Sequence, residues 1–248
     1  MNVPRAVMGV PPAILEKQEP QVPHEDVAAR LIDFWGRQMA EHALFLSIGI
    51  VSDKALASRA ADMRSAWEGF MAIPPRERSP ETAFGLAAAL RSMKEHVLDR
   101  LSAGEWLGWL FPSFVRHILE ELDHFTRALG SAMGMSAPDK GREVCAVLGF
   151  MRDHAAFAAH LLDPSEVRKV REARALLGGL SSLAGACRSS LPGLIALSER
   201  AGKDLDAFLV ASGAGTPKTK SIIHPVLAAH VVREGRMFLD MLRAWRME

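Results

Sequence analysis

The stretch Leu110-Phe-Pro112-Ser-Phe114-Val-Arg-His117-Ile-Leu-Glu-Glu121-Leu-Asp-His-Phe125 returns, in outline, as Ile223-His-Pro225-Val-Leu227-Ala-Ala-His230-Val-Val-Arg-Glu234-Gly-Arg-Met-Phe238. Pro112 matches Pro225, His117 matches His230, Glu121 matches Glu234 and Phe125 matches Phe238, all at an offset of 113. Each copy places Leu or Ile, Phe or Leu, His, Glu and Phe three or four residues apart, the spacing of one helix face. Proline near the start of each copy suits the first turn of a helix. A second match lies upstream of each copy. Glu41-His42-Ala-Leu-Phe45 aligns with Asp153-His154-Ala-Ala-Phe157 at an offset of 112. Two matches at nearly one offset point to a duplicated unit.

Working outward, the rest of the chain reads as helix. Ala, Leu, Met, Arg and Glu are abundant, tyrosine is absent, and no strand-like alternation stands out. Pro4, Pro11, Pro12, Pro20 and Pro23 mark residues 1–24 as an extended lead-in. Helices are then expected over about 25–49, 52–72, 80–104 and 107–129, with Ser79-Pro80 opening the third as cap and first residue. The Gly130–Pro138 segment is the best linker. Beyond it, helices are expected over about 139–162, from a capping box at Asp163-Pro-Ser-Glu166, after Ser190-Leu-Pro192, and over about 221–246. The expected fold is all-α, with two tandem four-helix-bundle repeats at 25–136 and 137–248.

The same stripes carry the chemistry. Leu110, Phe114, His117, Glu121, Phe125 and Leu129 share one face, as do Ile223, Leu227, His230, Glu234, Phe238 and Leu242. Ionisable groups thus stand where core residues belong. A buried carboxylate is paired, protonated or bound to metal. The candidate metal ligands are Glu41, His42, His117, Glu121, Asp153, His154, His230 and Glu234. Imidazole and carboxylate together suit iron, manganese or zinc, and helical bundles build dimetal sites from such side chains on facing helices. The usual Glu-x-x-His spacing is replaced here by His-x-x-x-Glu, so the site is ferritin-like in kind and not by motif. Neighbours such as Glu41 and His42 lie about 100° apart around a helix, so one of each pair can orient a ligand. The competing reading is a buried His–carboxylate network that only holds the core.

Other features point elsewhere. His24, His96, His160 and His224 read as surface or capping residues, His124 is an outlying candidate one turn past Glu121, and Arg37 is placed to pair with Glu41. The five tryptophans read as core or interface. With a net charge of +1 and no basic run, neither nucleic acid nor an anionic membrane is an expected partner. No apolar run approaches the roughly 20 residues that span a bilayer, and the lead-in lacks the layout of a secretory signal. Cys145 and Cys187 form no CxxC pair, so neither a disulfide framework nor a thiolate zinc site is expected, and a reducing, cytoplasmic setting is.

Phe34-Trp35-x-x-x-Met39-x-Glu41-His42-Ala-x-Phe45 and the doubled Pro-x-x-x-x-His-x-x-x-Glu resemble a bacterial family of unknown function, classified as Bacillus cereus metalloprotein-like. The resemblance covers nearly all of the chain after the lead-in. It implies two tandem four-helix repeats that exchange their first helices around a dimetal site. Glu41-His42 is then expected to face His230 and Glu234, and Asp153-His154 to face the first repeat's motif. The first functional expectation is an enzyme, a non-haem di-iron oxidase or oxygenase that uses O2 on a small molecule. Glu41 or Asp153 is there expected to bridge or shift between the metals. The alternative is a non-catalytic metal binder, acting as sensor, buffer or structural site.

Overall fold

A computed structural model describes residues 24–185, Cys187, Lys203 and 219–246. The lead-in and the helix expected after Pro192 lie outside the described residues. Within them the protein is all-helical. The elements are α1 (His24–Gly49), α2 (Lys54–Ala72), a short 3-10 turn (Pro75–Glu77), α3 (Pro80–Ser102), α4 (Pro112–Ala132), α5 (Lys140–Leu161), α6 (Val167–Gly185) and α7 (Pro225–Arg246).

Local chemistry sets most helix starts. Asp53 caps α2 by accepting from the Leu56 N–H at 2.9 Å, and Asp139 caps α5 through Arg142 N–H at 3.0 Å. Ser79 caps α3, with Pro80 as its first residue. The capping box expected at Asp163 does not form. The Asp163 side chain accepts from Ser165 N–H, while Glu166 reaches the N–H of Lys220 instead of turning back, and α6 starts at Val167.

Two helices start later than the sequence suggests, for one reason. Val51 N–H donates to the Leu107 carbonyl at 2.7 Å and Trp109 N–H to the Gly49 carbonyl at 2.9 Å. This small antiparallel bridge between Ile50 and Gly108 occupies the backbone before α4. Asp163 N–H donates likewise to Lys220, and Ile222 N–H to Leu161, both at 2.9 Å, around a bridge between Leu162 and Ser221. So α4 begins at Pro112 and α7 at Pro225. Ile50 and Leu162 are 112 apart and Gly108 and Ser221 are 113 apart, the offsets of the sequence matches.

Helix α1 packs against α2, α3 and α4, α5 packs against α6, and α7 lies against both α1 and α5. Trp35, Met39, Leu46, Trp67, Phe125 and Phe238 fill the core, which α1, α4, α5 and α7 enclose. Trp106 and Trp109 are exposed.

The cysteines correct the sequence reading. Cys145 and Cys187 are disulfide-bonded, with Cα atoms 5.4 Å apart. The pairing of α5 with α6 returns the chain to the start of α5, which spacing along the sequence does not reveal. No helix among the described residues is long and apolar enough to cross a membrane.

Candidate metal centre

The stripes seen in the sequence meet in the core. His42 comes from α1, His117 and Glu121 from α4, His154 from α5, and His230 and Glu234 from α7; all six are buried. They meet across the chain. His42 Nε2 lies 3.3 Å from His230 Nε2, and His117 Nε2 lies 3.2 Å from His154 Nε2. Each histidine of the early helix of one half therefore faces the late helix of the other.

The two glutamates lie between these pairs. Glu121 Oε2 is 3.1 Å from His42 Nε2, and its Oε1 is 3.0 Å from His117 and 3.5 Å from His154. Glu234 Oε2 is 3.2 Å from His154 Nε2, and its Oε1 is 3.3 Å from His230. Two overlapping groups result. His42, Glu121, His230 and Glu234 form one, and His117, Glu121 and His154 form the other, with the ligand atoms of each within 4.8 Å of one another.

The remaining two candidates are placed differently. Glu41 Oε2 accepts from Nδ1 of His230 at 2.8 Å, and Asp153 Oδ2 from Nδ1 of His117 at 3.3 Å. Each meets the Nδ1 side of a ring, and neither belongs to the two groups above, which is the placement of a carboxylate that orients a ligand. Arginines hold both: Arg233 donates to Glu41, and Arg152 donates to Asp153 at 2.7 Å. Arg37 also pairs with Glu41, at 3.3 Å. His124 is buried outside the cluster, 2.6 Å from Glu143.

One residue of the site has no warning in the sequence. Lys94 of α3 is fully buried; its Nζ lies 3.0 Å from His42 Nδ1, and it donates to the Ile118 carbonyl. Its neighbours Arg91 and Glu95 pair on the surface, so its place in the chain suggests a solvated helix face.

Electrostatics follow the contacts. Burial raises the Glu121 carboxyl, but the charge of His117 and the close approach of the His117, His154 and His42 ring nitrogens outweigh it and hold the group well below its ordinary range. Burial lowers His117, yet Glu121 and Asp153 prevail and push it up to about 10. His42 goes the other way, driven well down by burial and by Lys94. Lys94 is itself held well below the usual lysine range by burial, against the pull of Glu121 and Glu234.

The donor set fits metal ions. All four oxygens of Glu121 and Glu234 are buried, and none has a hydrogen bond of proper geometry among the described residues. Unpartnered buried carboxylate oxygens are costly. Four imidazole Nε2 atoms converge on the same space. Such a set satisfies cations that prefer mixed nitrogen and oxygen ligation.

No family model matches the chain. It is similar to an uncharacterized protein of Acanthamoeba polyphaga mimivirus, 25% identical over an alignment of 261 positions that covers 85% of this chain and 78% of that protein. Its fold is that of an uncharacterized protein from Bacillus cereus whose crystal structure superposes with a TM-score of 0.81 at 17% identity, over 90% of this chain and 91% of the other.

Proposed function

We propose that this chain is a dimetal protein, and that it works as a non-haem di-iron oxidase or oxygenase. The observation that carries the metal reading is the convergence of four imidazole nitrogens and four buried carboxylate oxygens that make no well-formed hydrogen bond among the described residues. His42 and His230 would hold one ion, His117 and His154 the other, and Glu121 and Glu234 would serve both. Two ferrous ions held there would supply the electrons for reducing O2. The chain orients His230 through Glu41 and His117 through Asp153, and keeps bulk water out. A cavity of about 30 Å³ touches His117, His154 and His230 and is otherwise lined by apolar side chains such as Phe114, Phe157 and Leu227. One water occupies roughly 10–15 Å³ on the same measure, so the space suits a molecule of the size and polarity of O2. The matched hydrogen bonds at offsets 112 and 113 support a duplicated unit, with repeats at 25–136 and 137–248. A cytoplasmic location belongs to the same proposal, because ferrous iron persists in a reducing compartment; the Cys145–Cys187 bond, of a kind rare there, counts against it.

Metal content per chain, measured by plasma mass spectrometry, tests the first part. Two equivalents of iron are expected in the wild type and none in a His117→Ala/His230→Ala double variant. No metal in the wild type, even after anaerobic loading with ferrous iron, would leave the cluster as a buried polar network. Mixing the ferrous protein with O2 in a stopped-flow instrument tests the second part: oxidation faster than that of free ferrous iron is expected. The near-complete burial of the ligands also favours a non-catalytic binder, and metal retained without reaction would select that reading.

A further inference from the structure

The cavity beside His117, His154 and His230 breaks the symmetry of the matched sequences. His154, Phe157, Ala158 and Leu161 of α5 line it. Their matches on α1, 112 residues earlier, are His42, Phe45, Leu46 and Gly49, and none of these lines it. On the α1 side the corresponding space is filled. A Cβ on Gly49 would lie 2.4 Å from Leu110 Cδ2, so the Leu110 side chain rests on the helix backbone. Phe45 is buried, its ring 6.1 Å from that of Phe114 and 5.3 Å from that of His230. On the α5 side Leu161 stands where Gly49 does, and Ile223, the match of Leu110, lines the cavity instead. Two side chains are also shorter there: Ala158 stands where α1 has Leu46, and Ala228 where α4 has Val115.

The cavity reaches the surface between α5 and α7, where Phe157, Leu161 and Leu227 are half-buried. Exposed apolar side chains flank this mouth. Ile222, 78% exposed, donates its N–H to the Leu161 carbonyl, and Phe111, 45% exposed, packs edge-on against His160. Among the described residues no lining side chain carries a carboxylate, an ammonium or a guanidinium. A charged group would enter without a partner, at high cost. Size sets the shape: a cavity that takes benzene measures about 150 Å³, and this one, at about 30 Å³, has no room for a ring.

We propose that this cavity is the substrate site and that it takes the methyl end of a straight alkyl chain, the rest of the chain lying in the apolar mouth between α5 and α7. The inference deepens the oxidase reading and rests on it for the reaction, whereas the site itself stands on the cavity. O2 is also narrow and uncharged, so the same opening admits it.

The test uses 1-hexanol as the probe and the full chain, first metal-stripped and then loaded with cobalt(II). Saturable binding of one equivalent, followed by proton NMR, is expected in both forms. In the cobalt form the methyl protons of the bound probe should relax faster than the CH2OH protons, because the methyl end lies nearer the metals. 1,6-Hexanediol would have to bury a hydroxyl and should bind about tenfold more weakly. Ala158→Leu and Ala228→Val install the matched residues of the filled side, and each should weaken 1-hexanol about tenfold by overpacking while leaving cobalt stoichiometry unchanged. Melting curves show which variants are folded, and the comparisons between probes and between probe ends need no variant. No saturable binding in wild type, equal binding of the diol, faster relaxation at the CH2OH end, or full binding in a folded variant would each overturn the inference. A chain that binds 1-hexanol but no cobalt would lose the dimetal reading and keep the alkyl site.

Discussion

At the scale of residues, the glutamates separate into two kinds that the sequence does not distinguish. Glu121 touches three histidines at Nε2, whereas Glu41 meets a histidine at Nδ1 of His230 and is otherwise held by Arg37 and Arg233. Glu121→Gln should therefore abolish binding of both metal equivalents. Glu41→Gln should keep the stoichiometry and lower affinity by roughly 10- to 100-fold. Metal titration of the two variants separates these outcomes, and equal losses would deny the distinction. The pH dependence of the metal-stripped protein follows from the same contacts. His117 is raised from 6.5 to about 10, so its stabilisation is complete below pH 6.5 and is lost as pH climbs towards 10. Glu121 is depressed below 4.5, so its stabilisation is present above pH 4.5 and is lost as pH falls through the lower folded value. Melting temperature should fall above about pH 7 in the stripped wild type, and the fall should flatten in His117→Ala. An alkaline slope that survives the substitution would assign it to other groups.

At the scale of elements, the two backbone bridges test how far the positions matched at offsets 112 and 113 are interchangeable. Gly108 has φ of +146°, and a Cβ there would lie 2.1 Å from the Gly49 carbonyl oxygen. Its match, Ser221, needs no such freedom, because no residue other than glycine has positive φ among the described residues. Gly108→Ser should therefore destabilise by at least about 1–3 kcal/mol from backbone strain alone, with the clash added, while Ser221→Gly should cost only about 0.4–1 kcal/mol. Thermal melts of the two single variants decide this, and equal effects would mean that the first bridge relaxes freely. The helices themselves were legible in the sequence because caps, prolines and a periodic apolar stripe all act locally. The bridges that delay α4 and α7 were not, since each joins backbone groups more than 50 residues apart through carbonyls and N–H groups that every sequence has. The site divides the same way. His117 and Glu121 could be found because a four-residue spacing on one face is a local fact. Lys94 could not, because only the packing of α3 on α1 and α4 takes one lysine of a charged helix into the core.

At the scale of the molecule, α1, α4, α5 and α7 converge from distant parts of the chain, and His42 and His230 meet although 188 residues separate them. A site assembled this way depends on the late helices staying docked. Helix α5 is tied by the Cys145–Cys187 bond to the end of α6, closing a loop with a sequence separation of 42. Such a loop restricts the unfolded chain by an amount worth about 3–4 kcal/mol in the chain-entropy account. Because α5 carries both His154 and Asp153, loss of the bond should loosen the His117/His154 position before the other. Reduction under non-denaturing conditions should therefore lower the melting temperature and speed metal release to a chelator. A Cys145→Ala/Cys187→Ala variant should reproduce both changes without reductant. Thiol labelling with and without reductant, read by mass, establishes the bond's state first. Two labelled thiols in unreduced protein would place the purified chain in its open form, and unchanged chelation kinetics in the double variant would show that the core packing of Phe150 and Met151 holds α5 without the bond.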